Sequence, residues 1–249
     1  MPLVVCGLSI ISSAFSLQAE YRLSTSFIRK FKDTPGAISV CECIAIINLA
    51  QHAPEGIYMD IGSHAGKSSM SAAQGLKNGT FYLVDPCYDL HNKEAWENTV
   101  QGSSNKMPWA YVGESTFCQN IIDNVARNGI LPVLLGDYSL HAIPKYSDYS
   151  WVFVDSDTHQ GGLLGKEVRL LEDRMIQGGI IAFHDYNSQF KEVKEAHEYL
   201  LSTGKYENVE IDWPSIVKYV QGKNLEAGNN SWHHTEMDAP CFVGAVKRK

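Results

Sequence analysis

The chain has no C-x-x-C pair, no surplus of basic residues, no internal repeat and no apolar run long enough to cross a membrane as a helix. Each absence narrows the field. Six cysteines stand at 6, 41, 43, 87, 118 and 241, and Cys41 with Cys43 makes only a C-x-C. Without paired metal-type clusters, the expectation is reduced thiols in a cytoplasmic setting. Twenty-one basic residues against 28 acidic ones leave a net charge of -7, which argues against nucleic acid as a partner. The apolar stretch from Pro2 to Leu17 lacks a preceding Lys or Arg, and Ser-Leu-Gln-Ala is a weak cleavage site. It is too short for a membrane span, so a packed or partner-facing N-terminal helix is expected, with a homodimer contact as one use.

What is present is an ordinary globular composition, 249 residues with 44% hydrophobic. That suits one α/β domain, residues 36–249, behind an N-terminal helical extension, residues 1–35. Residues 36–52 carry apolar positions at helical spacing, and Pro54 and Gly56 stop that helix. Short apolar strands then alternate with helices. The strands are Ile57 to Ile61, Thr80 to Val84, Leu131 to Leu135, Trp151 to Val154 and Ile180 to Phe183. Between them, helices are predicted over Ser68–Leu76, Ser115–Arg127 and Leu163–Met175, and a further one over Ser188–Leu201. Such alternation implies right-handed crossovers and a Rossmann-like, doubly wound parallel sheet with helices on both faces. After Gly204 the rhythm changes. Tyr206–Trp213 and Cys241–Val246 read as two strands joined by a polar insert without a clear helix. They complete a seven-stranded sheet whose last strand is antiparallel. The stretch from 86 to 112 is long for a connection and holds Tyr88, Trp96, Trp109 and Tyr111; these rings either cover a substrate or pack locally.

Open parallel sheets bind ligands beyond the carboxyl ends of their strands. The acids of this chain follow those ends. Asp60 closes the first strand just before a glycine turn, and Asp85, Asp137, Asp155 and the His184-Asp185 pair lie at or just past later strands. In the turn Asp60-Ile-Gly62-Ser63-His64-Ala-Gly66-Lys67-Ser68-Ser69, Gly62 and Gly66 let the backbone bend and approach a ligand, while Ser68 or Ser69 can cap the following helix. A dinucleotide fingerprint would read G-x-G-x-x-G, which Ser63-His64 breaks. A P-loop needs four residues between its glycines where this turn has three, although Trp151-Val-Phe-Val-Asp155 imitates the magnesium-holding acid of such ATPases. The remaining reading is an acid-x-Gly-x-x-x-Gly turn.

That turn, with Phe81-Tyr-Leu-Val-Asp-Pro86, Leu135-Gly-Asp-Tyr-Ser139, Trp151-Val-Phe-Val-Asp-Ser-Asp157 and Gly178-Gly-Ile-Ile-Ala-Phe-His-Asp-Tyr186, resembles the class I S-adenosylmethionine (SAM)-dependent methyltransferases. More narrowly, it is similar to the small-molecule O-methyltransferase branch with its macrocin-type and cephalosporin-hydroxylase-like members. The likeness runs over about residues 36 to 249.

The resemblance implies that Asp60, Gly62, Ser63, His64, Gly66, Ser68 and Ser69 surround the methionine moiety of SAM. It implies that Asp85 takes the ribose hydroxyls, that Asp137 with Tyr138 borders the adenine, and that Asp155 adjoins the cofactor. An acid before Pro86 also reads as a turn cap, and Gly-Asp at 136–137 is a common turn. Metal-dependent relatives place one acid at the end of the fourth strand and an acid-acid or acid-amide pair at the fifth; the matching positions are Asp155, His184 and Asp185, which could hold Mg²⁺ or a transition ion. Histidine at 184 departs from their all-oxygen pattern. His184 lining the pocket without a metal is the competing reading. Asp155, His159 and His184 are the candidate catalytic groups. Relatives read Asp-Gly-Asp-His after the fourth strand, whereas here Thr158 takes the histidine's place and His159 follows it. The pair His233-His234 reads as surface decoration. The implied activity is methylation of a small-molecule hydroxyl. A P-loop-like nucleotide hydrolase and a non-catalytic SAM-binding protein are the alternatives.

Overall fold

The computed structural model describes residues 23–36, 38–89, 114–156, 162–186, 190–223, 225 and 242–248. The strands are β1 (Gly56–Ile61), β2 (Gly79–Val84), β3 (Ile130–Leu135), β4 (Tyr149–Val154), β5 (Met175–His184), β6 (Tyr206–Val209) and β7 (Phe242–Lys247). They form one sheet in the order β3-β2-β1-β4-β5-β7-β6. β1, β2, β3, β4 and β5 pair in parallel, and β7 runs antiparallel between β5 and β6. This is the doubly wound arrangement expected from the strand–helix alternation. The strand order reverses between β1 and β4, so the crevice for a ligand lies above those two strands.

The helices are α1 (Thr25–Asp33), α2 (Val40–His52), α3 (Lys67–Gly75), α4 (Glu114–Val125), α5 (Ser139–Ala142), α6 (Leu163–Glu172), α7 (Lys191–Ser202) and α8 (Trp213–Gly222). Side chains alternate across a strand, so each strand feeds two cores. Tyr58, Trp151, Phe153, Ile180 and Ala182 point to the layer that contains α1, α2, α3 and α8. Met59, Val152, Val154, Ile181 and Phe183 point to the layer of α6 and α7. α1 buries Phe27, Ile28 and Phe31 in the first core. Among the described residues no helix is long and apolar enough to cross a membrane. The segment 2–17, the aromatic residues at 96, 109 and 111, His159 and the pair His233-His234 all lie outside the described residues.

Three expectations need correction. The sixth strand stops at Val209 and the chain then forms α8, where a helix-free insert was expected. Asp212 caps that helix by accepting from Ser215 N at 3.1 Å, Pro214 sits in its first turn, and Ile216 with Val220 buries it. β5 begins at Met175 instead of Ile180. Gly178 and Gly179 therefore belong to the strand, and the register with β4 shifts between Tyr149 and Trp151. Third, Ser68 and Ser69 do not cap α3: its N-cap is Gly66, left-handed at φ 77°, and the two hydroxyls serve Asp60.

Candidate active site

β1 ends in the glycine turn because two strands converge on it. Gly62 N donates to Val84 O of β2 at 2.9 Å, and Asp155 N, just past β4, donates to Ile61 O at 2.9 Å. Gly62 has φ 77°, and a Cβ there would sit 2.0 Å from the Asp155 carbonyl oxygen. Only glycine allows that approach. Ser63 O accepts from Gly66 N at 2.7 Å, which closes the bend before α3.

Asp60 is fully buried at the floor of this turn. Its position on β1 puts it on the α3 side of the sheet, where Ser68 Oγ donates to Oδ2 at 2.7 Å and Ser69 Oγ donates to the same oxygen. Oδ1 is buried with no hydrogen-bond partner among the described residues. Burial pushes its pKa up to about 7; the two serine hydroxyls oppose that rise, and the nearby Asp155 and Asp85 charges add to it. An unfolded chain releases this proton near 3.8 and the folded chain keeps it to about 7. Stability is thus full below pH 3.8 and declines as pH rises through 7, by at most about 1.4 kcal/mol per pH unit.

Asp85 closes β2 and works as a clamp. Its Oδ2 accepts from His64 N at 2.9 Å and its Oδ1 from Cys87 N at 2.9 Å, capping the 3-10 turn Pro86–Tyr88. The turn-cap role anticipated for an acid before proline is therefore present, and each carboxylate oxygen retains acceptor capacity. Tyr88 completes the clamp. Its hydroxyl donates to His64 O at 2.5 Å and accepts from Ser63 Oγ at 3.0 Å, while His64 holds a left-handed φ of 45°. Tyr88 thus packs locally against the glycine turn.

Asp137 lies past β3, at the start of α5. Its Oδ1 accepts from Tyr138 N at 2.8 Å, and Lys145 Nζ donates to its Oδ2 at 2.6 Å. Partial burial favours its proton, but Lys145 and the Tyr138 N–H outweigh this and hold the pKa below the usual value. Tyr138 is 57% exposed.

At the ends of β4 and β5 a second cluster forms. His184, 3% exposed, continues the β5 face of Ile180 and Ala182, which is the face covered by α2. Its Nδ1 lies 3.5 Å from Asp155 Oδ1 and 3.3 Å from Asp185 Oδ1; its Nε2 lies 3.2 Å from Glu42 Oε1. Asp185 adopts a left-handed φ of 60°, rare for a residue with a side chain. Burial opposes a charge on His184, but the Asp155 and Glu42 carboxylates prevail and raise its pKa well above the ordinary value. For Glu42, burial favours the proton, and the His184 charge with the Ser39 hydrogen bonds reverses this to a lowered pKa. A carboxylate thus lies near each ring nitrogen, and neither nitrogen makes a hydrogen bond among the described residues. One ligand atom each from Asp155, His184 and Asp185 lie within 4.8 Å of one another, a set that fits a divalent ion.

Glu42 was missed in the sequence, where the capping spacing Ser39-x-x-Glu42 already accounts for an acid in an apolar helix. Lys67, the residue a P-loop would aim at phosphate, points elsewhere. Its Nζ lies 4.5 Å from the Phe31 ring centroid and donates to Gly36 O at 3.3 Å. Burial lowers its pKa.

Comparison with known proteins agrees with this architecture. Residues 59–186, just over half of the chain, match the family model described as a methyltransferase domain. No curated protein matches the chain in sequence. Among solved structures, the O-methyltransferase TomG from Streptomyces achromogenes, in complex with SAM, is similar at TM-score 0.52 and 14% identity, with 92% of each chain covered. The O-methyltransferase from Bacillus cereus in complex with SAH gives 0.49 at 14% identity, covering 91% of this chain and 92% of that one. Precorrin-6y C5,15-methyltransferase from Geobacter metallireducens gives 0.49 at 16% identity, covering 72% and 82%. At such identities the TomG likeness bears on the fold. The family model reaches from Met59 on β1 to Tyr186 past β5, and so takes in the glycine turn and every strand end described above. The chain belongs to the methyltransferase-domain family.

Proposed function

We propose that the protein transfers the methyl group of SAM to a hydroxyl oxygen of a small molecule, with a divalent ion at Asp155, His184 and Asp185. The observation that carries this reading is the placement of Asp60, Asp85 and Asp155 around one glycine bend at the switch point of the sheet. Bound SAM would supply an electrophilic methyl group that a hydroxyl oxygen takes by in-line displacement as S-adenosylhomocysteine leaves, and the ion would lower the pKa of that hydroxyl.

The chain's own groups bind and orient. Asp60 Oδ1, buried without a partner among the described residues, suits an ammonium donor. Asp85, accepting already from His64 N and Cys87 N, has lone pairs left for two hydroxyls. Asp155 and Asp185 expose 28% and 24% of their side chains, so they border the acceptor side while Asp60 and Asp85 stay enclosed. Asp155 and, outside the described residues, His159 are the groups proposed to take the hydroxyl proton. Alignment itself is worth several kcal/mol, about 7–11 in favourable cases.

Asp60 makes the binding pH-dependent. An ammonium needs the carboxylate, which the free protein protonates below about pH 7. SAM affinity is expected to fall about tenfold per unit below that point. Calorimetric titrations across this range would show it, and Asp60→Asn would bind weakly with a flat profile.

The decisive assay combines a thermal-shift screen of SAM, S-adenosylhomocysteine, ATP and NAD with transfer of labelled methyl to a panel of hydroxyl compounds. SAM and its product should stabilise the fold by mass action, and ATP and NAD should not. Label on a hydroxyl oxygen supports the proposal; binding without transfer to any acceptor supports a non-catalytic protein. Lys67→Met, which keeps the aliphatic stem against Phe31, should leave transfer within about threefold, a change below 1 kcal/mol. A nucleotide hydrolase would be silenced by it.

A further inference from the structure

Glu42 reaches the rim of the sheet from α2 and is not among the groups that hold SAM. It is 3% exposed, and its two oxygens do different things. Oε2 accepts from Ser39 N at 2.7 Å while Ser39 Oγ accepts from Glu42 N at 3.1 Å, a capping box that fixes the side chain. Oε1 is left 3.2 Å from His184 Nε2, an ion-pair contact in which neither atom has a hydrogen-bond partner among the described residues.

Beside that carboxylate charge an Nε2–H is attracted and an Nε2 lone pair is repelled, which favours the tautomer protonated on Nε2. A neutral imidazole protonated there presents its lone pair on Nδ1. That atom is buried, has no hydrogen-bond partner among the described residues, and lies 3.5 Å and 3.3 Å from the Asp155 and Asp185 oxygens. A carboxylate on the far nitrogen of a ligating histidine sets the ring's tautomer and raises its basicity. Magnesium demands oxygen ligands, whereas manganese, iron, cobalt, nickel and zinc accept imidazole.

We propose that Glu42 is a positioning residue that holds His184 with Nδ1 toward Asp155 and Asp185, and thereby makes this cluster a site for a divalent transition ion in preference to magnesium. The inference rests on the metal-assisted reading above. Replacement by glutamine shows why the charge matters. If its oxygen keeps the Ser39 N–H, its NH₂ faces Nε2 and drives the ring proton to Nδ1, where it blocks the ion.

The test titrates Co²⁺ into the chelator-treated full-length protein and follows the visible absorption of the bound ion. The wild type should bind with a nitrogen-ligated spectrum that His184→Gln abolishes and that a thousandfold excess of Mg²⁺ does not displace. Glu42→Gln should bind Co²⁺ about 10–100-fold more weakly. Ser39→Ala, which removes the cap hydroxyl alone, should lower the melting temperature but keep the wild-type affinity. Equal Co²⁺ affinity in Glu42→Gln and the wild type would overturn the positioning role, and ready displacement by Mg²⁺ would overturn the ion class. Thermal shift with SAM on the same samples separates the two levels. A wild type that binds SAM but no Co²⁺ refutes the metal inference alone, and one that binds neither refutes the methyltransferase site itself.

Discussion

Asp85→Asn is expected to weaken SAM binding by roughly 30- to 150-fold, a loss of about 2–3 kcal/mol. The carboxylate accepts backbone N–H groups from both sides, His64 on the glycine turn and Cys87 on the 3-10 turn. Asparagine has one acceptor oxygen, so its NH₂ must face one of these donors. Two effects add. The hydrogen bonds proposed to the ribose lose their charge assistance, worth about 1.5–3 kcal/mol for a bond to a charged group. The bend also loses one of its ties to β2, and the free protein should melt earlier. Calorimetric titration at neutral pH reads the first effect and thermal denaturation the second. A melting temperature that drops while SAM affinity stays within about threefold, under 1 kcal/mol, would confine Asp85 to its capping role.

Gly62→Ala should destabilise the fold by about 3–5 kcal/mol, more than any other single change considered for the turn. A left-handed φ of 77° costs an alanine about 1–2 kcal/mol. The added Cβ would also stand 2.0 Å from Asp155 O, so β1 and β4 must part at the switch point. Gly162→Ala is the matched control: φ is 73°, nothing lies within 4 Å of the added Cβ, and only the left-handed cost applies. In thermal melts the Gly62 variant should fall by about 10 °C, at roughly 2–4 °C per kcal/mol in a chain of this size, and the control by a third of that or less. Similar losses in both would mean that the contact with Asp155 O is not a constraint.

How much of this was legible beforehand depended on where the physics was local. The parallel strands announce themselves as short apolar runs, and an acid or histidine at the carboxyl end of each marks the rim without any contact information. The glycine turn itself was legible, since Gly62 and Gly66 both take the left-handed backbone that their residue type allows. α8 was hidden because Tyr206 to Trp213 looks like one strand, although Asp212-Trp-Pro214 carries the cap and first-turn proline of a helix start. β5 was cut short because Gly178-Gly179 resembles a helix stop, while the chain crosses it within a strand whose register slips against β4. Glu42 could not be read at all. Its partner His184 lies far along the chain, and only the parity of β5 beneath α2 brings them to 3.2 Å. The serines after the turn were misassigned for a similar reason, since their role depends on a buried Asp60 across the β1–α3 contact.

The bend from Asp60 to Gly66, with Asp85 beside it, is the proposed seat of SAM. A crystal structure of the full chain with S-adenosylhomocysteine tests it directly. The ribose hydroxyls should lie on the Asp85 carboxylate and the amino group against Asp60 Oδ1. A ligand bound elsewhere, or a bend with no ligand at saturating concentration, would contradict it.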